Sequence, residues 1–182
     1  MAAAGQAGWA ILPGHGTVIL VTVGAQMPFD RLVKAVDRWA GDRRREDVFA
    51  QIGPTDYRPS SMQWTKFLEP EEFMRRVESA KVIVAHAGTG SIITALQTGK
   101  PILIMPRRAS LRETRNDHQV ATAEQFRRFD SVVVARDEKE LIAKLDGIDE
   151  LAGRPALGPY ASRELLGAIR GFIDGADIRS SS

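Results

Sequence analysis

The chain contains no cysteine among its 182 residues. Disulfide bonds and thiolate metal sites are therefore excluded, and this composition fits a cytoplasmic protein without requiring one. It also has no run of roughly 18 apolar residues that could span a bilayer. The first residues carry neither the basic nor the continuous apolar region of a secretory signal. The net charge is only +2, which gives little support to a nucleic-acid-binding function.

Histidine is scarce as well, with only His15, His86 and His118 in the sequence. No carboxylate pair with ligand spacing accompanies them, so we expect no metal site. Three catalytic or nucleotide-binding motifs are absent: the G-x-S-x-G elbow, a G-x-G-x-x-G turn after the first strand, and a Gly-rich loop ending in Gly-Lys-Ser or Gly-Lys-Thr. These absences disfavour a serine hydrolase, a dinucleotide-binding protein and a P-loop nucleotidase.

Short runs of branched apolar residues alternate with segments of helical spacing about six times along the chain. The predicted strands are 17–23, 48–52, 63–68, 82–85, 102–105 and 132–134. The predicted helices are 29–40, a segment opened by Pro70 with Phe73, Met74 and Val77 on its inner face, 91–97, 116–128, 138–145 and 161–173. This alternation predicts an α/β, Rossmann-like fold with a doubly wound parallel sheet of about six strands. We expect one domain over 17–175, a flexible lead over 1–16 and a polar tail over 176–182.

Ligands bind beyond the carboxyl ends of the strands in sheets of this kind. The loops at that edge are predicted to be 24–27, 86–90 and 107–115. Two of these loops are rich in small residues. Gly88, Thr89, Gly90 and Ser91 lie between a strand and a helix, where main-chain N–H groups favour a phosphate or diphosphate. A helix cap with tight packing is the alternative for this segment.

Gly24, Ala25 and Gln26 follow the first strand and could hold the same diphosphate from the other side, or form a simple turn. His86 ends its strand at the ligand edge, where it could donate to a phosphate, act in acid–base chemistry or be purely structural.

Two further segments carry polar side chains at this edge. Residues 116–119, with the sequence NDHQ, begin a predicted helix. Asn116 or Asp117 could cap that helix, or Gln119, with Asp117, could bind sugar hydroxyls. The arginines of the third loop are Arg107, Arg108, Arg112 and Arg115. They could form a solvated surface, contact phosphate, or face an anionic lipid or a partner.

Four segments together resemble the C-terminal domain of family 28 glycosyltransferases. They have the sequences "VTVGAQMPFDRLVKAVDRWA", "VFAQIG", "AHAGTGSIITALQTGKPILIMPRR" and "NDHQVATAEQF". The resemblance covers about Val18 to Asp130 and is strongest to the small stand-alone version of this domain. That group includes the catalytic subunit of a dolichol-pathway UDP-N-acetylglucosamine transferase and a subunit of a two-part bacterial exopolysaccharide glucuronosyltransferase.

The resemblance implies one half of a GT-B enzyme, the half that binds the UDP-sugar. It further implies a membrane-anchored partner subunit, a lipid-linked acceptor, no cofactor and no catalytic metal. The chain would then be cytoplasmic and peripheral to the membrane. A non-catalytic nucleotide-sugar-binding or scaffold subunit is the alternative. Half of a sugar-nucleotide epimerase is a third possibility.

Carried over to this sequence, the family's contacts fall on residues already singled out. The first loop is Gly24, Ala25 and Gln26, and the diphosphate and ribose contacts fall around His86, Gly88, Thr89, Gly90 and Ser91. The sugar contact falls on Gln119, beside His118, and Asp117 and His118 are also expected to bind the UDP-sugar. His86 is also the candidate catalytic residue within this chain, although the base could belong to the partner. The four loop arginines could pair with a uronic acid carboxylate. The chain departs from the family by Ala25 in place of a usual threonine, and by Thr94 in place of a frequent acidic residue.

Overall fold

The computed structural model describes residues 19–153. The strands are β1 (Ile19–Thr22), β2 (Val48–Gln51), β3 (Gln63–Thr65), β4 (Val82–His86), β5 (Ile102–Met105) and β6 (Val132–Val134). The α-helices are α1 (Asp30–Asp42), α2 (Pro70–Ser79), α3 (Thr89–Gln97), α4 (His118–Phe126), α5 (Glu138–Asp146) and α6 (Ile148–Ala152), with a 3₁₀ turn at Ala109–Leu111. The predicted lead, the polar tail and the helix over 161–173 lie outside the described residues.

The six strands form one sheet in the order β3-β2-β1-β4-β5-β6, and every pair is parallel. This confirms the predicted doubly wound, Rossmann-like α/β fold. The strand order reverses between β1 and β4, which pair in register from Ile19 opposite Val82 to Thr22 opposite Ala85. Because the strands are parallel, their carboxyl ends meet at one edge, and the reversal opens a crevice there.

Alternate residues of the central strands enter two separate cores. In β1, Ile19 and Val21 pack on the face covered by α1, α5 and α6, whereas Leu20 packs on the face covered by α2, α3 and α4. Both faces are apolar, so these strands are continuous runs of branched residues. The sheet is therefore held by helices on both sides, and the loops at its carboxyl edge rest on a rigid base.

Several predicted boundaries are corrected by the structure. The prediction that Gly41 ends the first helix is wrong, because α1 continues to Asp42 and the chain turns at Arg44 with a φ of 51°. The third strand is shorter than predicted and stops at Thr65. The fourth helix begins at His118 instead of residue 116. The third helix begins earlier than predicted, at Thr89.

The inner face of α2 is also narrower than predicted. Val77 is fully buried and Phe73 packs against the core beside it. Met74, which was expected on the same face, is 38% exposed and lies on the flank of the helix. Sequence analysis also missed the short helix α6 and the 3₁₀ turn, because neither is long enough to show a helical period.

A buried carboxylate fastens the long loop after β2 to α1. Asp37 is 3% exposed and accepts hydrogen bonds from the main-chain N–H groups of Ser60 and Ser61 and from the hydroxyl of Tyr57, which lies 2.6 Å from its Oδ2. Hydrogen bonding to this carboxylate raises the pKa of Tyr57 to about 12. The loop is therefore ordered even though it contains little regular structure. Between residues 19 and 153, no helix is both long enough and apolar enough to cross a membrane.

Candidate functional site

The imidazole of His86 lies between the two glycine loops predicted to bind a diphosphate. His86 is the last residue of β4, and its strand neighbour β1 ends at Thr22, two residues before Gly24. A methyl group added at Gly24 would lie 3.1 Å from Cε1 of His86, and one added at Gly88 would lie 2.2 Å from its Nε2. A side chain at Gly88 would force the His86 ring to move, and Gly24 has a φ of +76°, which favours glycine. The structure thus brings the two loops together around a single side chain, at the point where the strand order reverses.

His86 is held in its neutral form. Burial, reinforced by the positive charge of Arg107, lowers its pKa from 6.5 to about 4, against a smaller opposing effect of the Thr22 main chain. Its Nδ1 is buried and has no hydrogen-bond partner in the described chain. A neutral imidazole can donate one hydrogen bond and accept another. A ring that binds protons only near pH 4 is a weak base at neutral pH.

The loop between β4 and α3 is partly open to solvent. Gly90 is exposed, and a methyl group added there would meet nothing within 4 Å. Gly88 occupies the N-cap position, and no side chain caps the helix. The first N–H groups of α3 are therefore available to an anion placed before the helix. Thr89 and Ser91 are half-buried in the first turn.

A polar network at the ends of β1 and β2, which sequence analysis missed, holds the main chain of the first loop in place. The Thr22 hydroxyl donates to Oε1 of Gln51 at 2.8 Å, and Gln51 Nε2 donates to the carbonyls of Gly24 and Lys66, both at 3.0 Å. Ala25 and Gln26, by contrast, are exposed at the tip of the loop. The signal that could have revealed the network is the pair of polar residues ending otherwise apolar strands, at Thr22 and Gln51.

Arg107 connects the third loop to the first. It is only 5% exposed, and its Nη2 donates to the carbonyls of Val23 at 2.8 Å and Met27 at 2.7 Å. Its main-chain N–H donates to Oε1 of Gln119 at 3.2 Å. Because a main-chain N–H can only donate, this bond fixes the orientation of the Gln119 amide and leaves its Nε2 as a donor.

The residues just before Gln119 are more open. Asp117 is exposed and accepts a hydrogen bond from the main-chain N–H of Ala109 at 2.8 Å, instead of capping α4. Asn116 accepts from the main-chain N–H of His118, whose ring is exposed and contacts the same side-chain oxygen. This local turn delays the start of the helix by two residues relative to the prediction. Whether Asp117 or His118 contacts a sugar stays a prediction.

The other loop arginines have different surroundings. Arg112 and Arg115 are exposed, and within residues 19–153 neither side chain has an ion-pair or hydrogen-bond partner. Arg112 also has a φ of 57°. Arg108 is half-buried, and its Nη2 donates to the carbonyl of Arg136 at 2.6 Å. Arg112 and Arg115 are therefore better placed than Arg107 or Arg108 to meet an anion from solvent.

A salt bridge that was not predicted holds this third loop on the body of the domain. Arg31, on α1, donates to both carboxylate oxygens of Glu113, at 2.6 and 2.8 Å, and to the carbonyl of Pro106 at 3.0 Å. Glu113 also accepts from the main-chain N–H of Arg108 at 3.0 Å. These long-range contacts give no local sequence signal. They keep the arginine loop close to the end of β5.

Thr94, the second departure from the family pattern, lies in α3 and is half-buried. Its carbonyl accepts a hydrogen bond from the Thr98 hydroxyl at 2.7 Å, so the main chain around it is regular helix. Across residues 19–153, no group of three or more histidine, aspartate or glutamate side chains is arranged to hold a metal ion. The polar groups at the carboxyl edge are thus mostly N–H donors and arginines, a set that suits an anionic ligand.

Comparisons with solved structures show the same fold in glycosyltransferases. A crystal structure described as the glycotransferase of kitacinnamycin aligns with a TM-score of 0.59 at 24% identity, covering 92% of this chain and 41% of that one. An NMR solution structure of ALG13 aligns with a TM-score of 0.58 at 18% identity, covering 80% of this chain and 92% of that one. The fold is thus that of one half of a GT-B glycosyltransferase.

Sequence comparisons agree with this fold. Among curated proteins, the chain is similar to the UDP-N-acetylglucosamine transferase subunit ALG13 of Yarrowia lipolytica, with 24% identity over 137 residues. That alignment covers 66% of this chain and 65% of the relative. The model of the glycosyltransferase family 28 C-terminal domain matches residues 18–155, about three quarters of the sequence. The chain therefore belongs to the family of the glycosyltransferase family 28 C-terminal domain.

Proposed function

We propose that this chain is the UDP-sugar-binding, catalytic subunit of a two-part glycosyltransferase that transfers a sugar from a UDP-sugar to a lipid-linked acceptor. The observation that carries the proposal is the convergence of the Gly24 and Gly88 loops on His86, at the reversal of strand order. The similarity to a protein named as a UDP-N-acetylglucosamine transferase subunit supports both the donor and the need for a second subunit.

The diphosphate of the donor would lie before α3, between the two loops. The first N–H groups of α3 have no side-chain cap, and neutral His86 can donate a further hydrogen bond. As the bond to the sugar breaks, negative charge grows on the leaving diphosphate. Donors already oriented towards that position stabilise the transition state more than the ground state. Gln119, in the first turn of α4, would orient the sugar through its Nε2.

The base that accepts the proton of the acceptor hydroxyl would come from the partner subunit. With its pKa near 4, His86 has little tendency to accept a proton at neutral pH. The partner would also bind the acceptor and anchor the complex at the cytoplasmic face of the membrane. We further propose that the transfer needs no divalent metal, so a chelator would leave its rate unchanged.

Two substitutions at one position test the diphosphate site. Gly90→Asp places a carboxylate at the exposed start of α3, whereas Gly90→Ala adds only a methyl group in open space. We expect UDP affinity, measured by calorimetry on the isolated chain, to fall more than about ten-fold in Gly90→Asp because like charges repel at close range. Gln125→Glu, an exposed change on α4, controls for the added charge itself. Equal UDP affinity in Gly90→Asp and Gly90→Ala would exclude the site.

The sugar can be narrowed to two candidates, N-acetylglucosamine and glucuronate. The similarity to a protein named as a UDP-N-acetylglucosamine transferase subunit favours N-acetylglucosamine. The exposed Arg112 and Arg115 favour the second, because arginine pairs with a carboxylate through two hydrogen bonds. Comparing UDP-glucuronate with UDP-N-acetylglucosamine binding before and after Arg112→Ala separates them. Arg127→Ala, at an exposed arginine just after α4, is the control. A preference for the acid that disappears only in Arg112→Ala would identify glucuronate.

A non-catalytic subunit that only binds a nucleotide sugar is the second candidate, and the position of Ala25 favours it. The first loop offers exposed Ala25 where the family usually has a threonine hydroxyl, so it has fewer donors to stabilise a leaving diphosphate. Transferase assays with the partner subunit, comparing this chain with Gly90→Asp, distinguish the two. Activity that survives the loss of UDP binding would assign the chemistry to the partner.

A further inference from the structure

Arg107 is a buried arginine without a carboxylate partner. It is 5% exposed, and within the described residues no carboxylate oxygen lies within ion-pair distance of its guanidinium. Its Nε is buried with no hydrogen-bond partner there. Burying a charged group costs free energy unless its hydrogen bonds and its charge are compensated. The position of Arg107 therefore needs a reason beyond packing.

The guanidinium joins the two ends of the first loop. A single nitrogen, Nη2, donates to the carbonyl of Val23, just after β1, and to the carbonyl of Met27, just before α1. The residues between these two carbonyls include Gly24, Ala25 and Gln26. The carbon of the guanidinium lies 5.2 Å from the centre of the Phe29 ring, which is 1% exposed. Arg107 follows β5, and β4 lies between β5 and β1 in the sheet. Its side chain therefore reaches past the end of β4 to hold both ends of the loop that follows β1.

The side chain and the main chain of Arg107 serve different loops. Its main-chain N–H donates to Gln119, and this bond remains whatever side chain occupies the position. Substitution of Arg107 therefore changes the support of residues 23–27 and leaves the orientation of Gln119 in place. Lysine would keep the positive charge, but it has no planar guanidinium that can pack on the Phe29 ring while a terminal nitrogen reaches both carbonyls.

We propose that Arg107 is a positioning residue whose guanidinium holds residues 23–27 in the conformation that receives the diphosphate of the donor. The identity of the ligand in this inference rests on the proposed function, whereas the support of the loop does not. In this role Arg107 acts through the loop and does not touch the ligand. The exposed Arg112 and Arg115 remain the arginines that meet anions from solvent.

The test compares Arg107→Met, Arg107→Lys and wild type in the full chain. Arg45→Met is the control, because Arg45 also packs on an aromatic ring, 5.5 Å from the centre of Trp39. It is half-buried and lies beside Asp47, at the opposite edge of the sheet from the candidate site. We expect ¹⁵N relaxation order parameters of Ala25 and Gln26 to fall from about 0.85 to below about 0.6 in Arg107→Met. UDP affinity should fall about ten-fold while uridine affinity is unchanged, since the loop serves the diphosphate. Arg107→Lys should show the same mobile loop and a comparable loss of UDP affinity, because the residue acts only through the loop. Arg45→Met should match wild type in both measurements.

Several results would overturn the inference. One is a loop as rigid in Arg107→Met as in wild type; if that variant does not fold, the same result in Arg107→Lys is decisive. Another is an equal loss of UDP and uridine affinity, which indicates a general structural defect. A third is a mobile loop with unchanged UDP affinity. If wild type itself binds no UDP, the proposed function fails, while the order parameters still decide whether Arg107 holds the loop.

Discussion

Replacing Gly88 by alanine should destabilise the domain, whereas the same change two residues later should not. Gly88 has φ −83° and ψ 133°, a conformation that alanine adopts without strain. Any cost must therefore come from the added methyl group, which would lie 2.2 Å from Nε2, 2.8 Å from Cδ2 and 2.9 Å from Cε1 of His86. The ring has little room to move, because Gly24 also lies close to it: a methyl group added there would be 3.1 Å from Cε1.

Overpacking of this kind costs about 1–3 kcal/mol. We expect a value near the upper end, about 2–3 kcal/mol, because three ring atoms would be in contact at once. In a domain of this size each kcal/mol corresponds to about 2–4 °C, so the melting temperature should fall by roughly 5–10 °C. Gly90→Ala meets no atom within 4 Å and lies in the first turn of α3. It should be neutral or raise stability by up to about 1 kcal/mol, since alanine loses less backbone entropy than glycine in a helix.

Thermal unfolding followed by circular dichroism measures both variants. A double-mutant cycle then tests the cause: in the His86→Ala background the ring is absent, so Gly88→Ala should cost less than about 0.5 kcal/mol. The reasoning would be refuted if Gly88→Ala were no more destabilising than Gly90→Ala. It would also be refuted if the cost of Gly88→Ala persisted without the ring.

Three further predictions follow from other contacts. Asp37→Asn should lower the free energy of unfolding by about 3 kcal/mol in thermal unfolding, because the buried carboxylate that accepts hydrogen bonds from several N–H and O–H groups loses its charge. Tyr57→Phe removes only one of these hydrogen bonds and should cost about 1 kcal/mol. Equal costs of the two variants would contradict this role of Asp37. His86 should stay neutral down to about pH 4 in an NMR titration. Because its pKa is lower in the folded than in the unfolded chain, the domain should lose about 3 kcal/mol of stability as the pH falls from 6.5 towards 4, and His86→Gln should not show this loss. A His86 ring that titrates near pH 6.5 would refute the prediction. Arg31→Lys should cost about 1–2 kcal/mol by urea unfolding, because lysine cannot bond both oxygens of Glu113; an unchanged midpoint would show that the pair is not stabilising.

Most strands and the parallel sheet could be predicted from the sequence because both faces of the sheet are covered. Strands such as Ile102–Met105 and Val132–Val134 are uninterrupted apolar runs, and their predicted and observed bounds agree. Met74 was misplaced because spacing shows which residues share a helix face but not how wide the buried stripe is. The start of α4 was misplaced because Asn116 and Asp117 form a turn ahead of the helix. Asp117 accepts from Ala109, and Asn116 accepts from the main-chain N–H of His118, the first residue of α4.

The loops of the candidate site could be predicted, but their connections could not. Glycines after strands mark places where the main chain must turn tightly, and the parallel arrangement brings Gly24 and Gly88 to one edge. The contacts of Arg107 with Val23 and Met27 join residues 80 or more positions apart. No local pattern predicts such contacts, and an arginine in a charged run is ordinarily expected at the surface.

The position of β1 also bears on how the chain is made. It is the first strand in the described part of the sequence, yet it lies in the middle of the sheet, paired on one side with β2 and on the other with β4. During synthesis, the edge of β1 that pairs with β4 stays unpaired, and its apolar side chains stay exposed, until residues 82–86 leave the ribosome. A fragment ending before Val82 should accordingly aggregate, whereas the nascent chain becomes protected only once β4 has emerged and paired with β1.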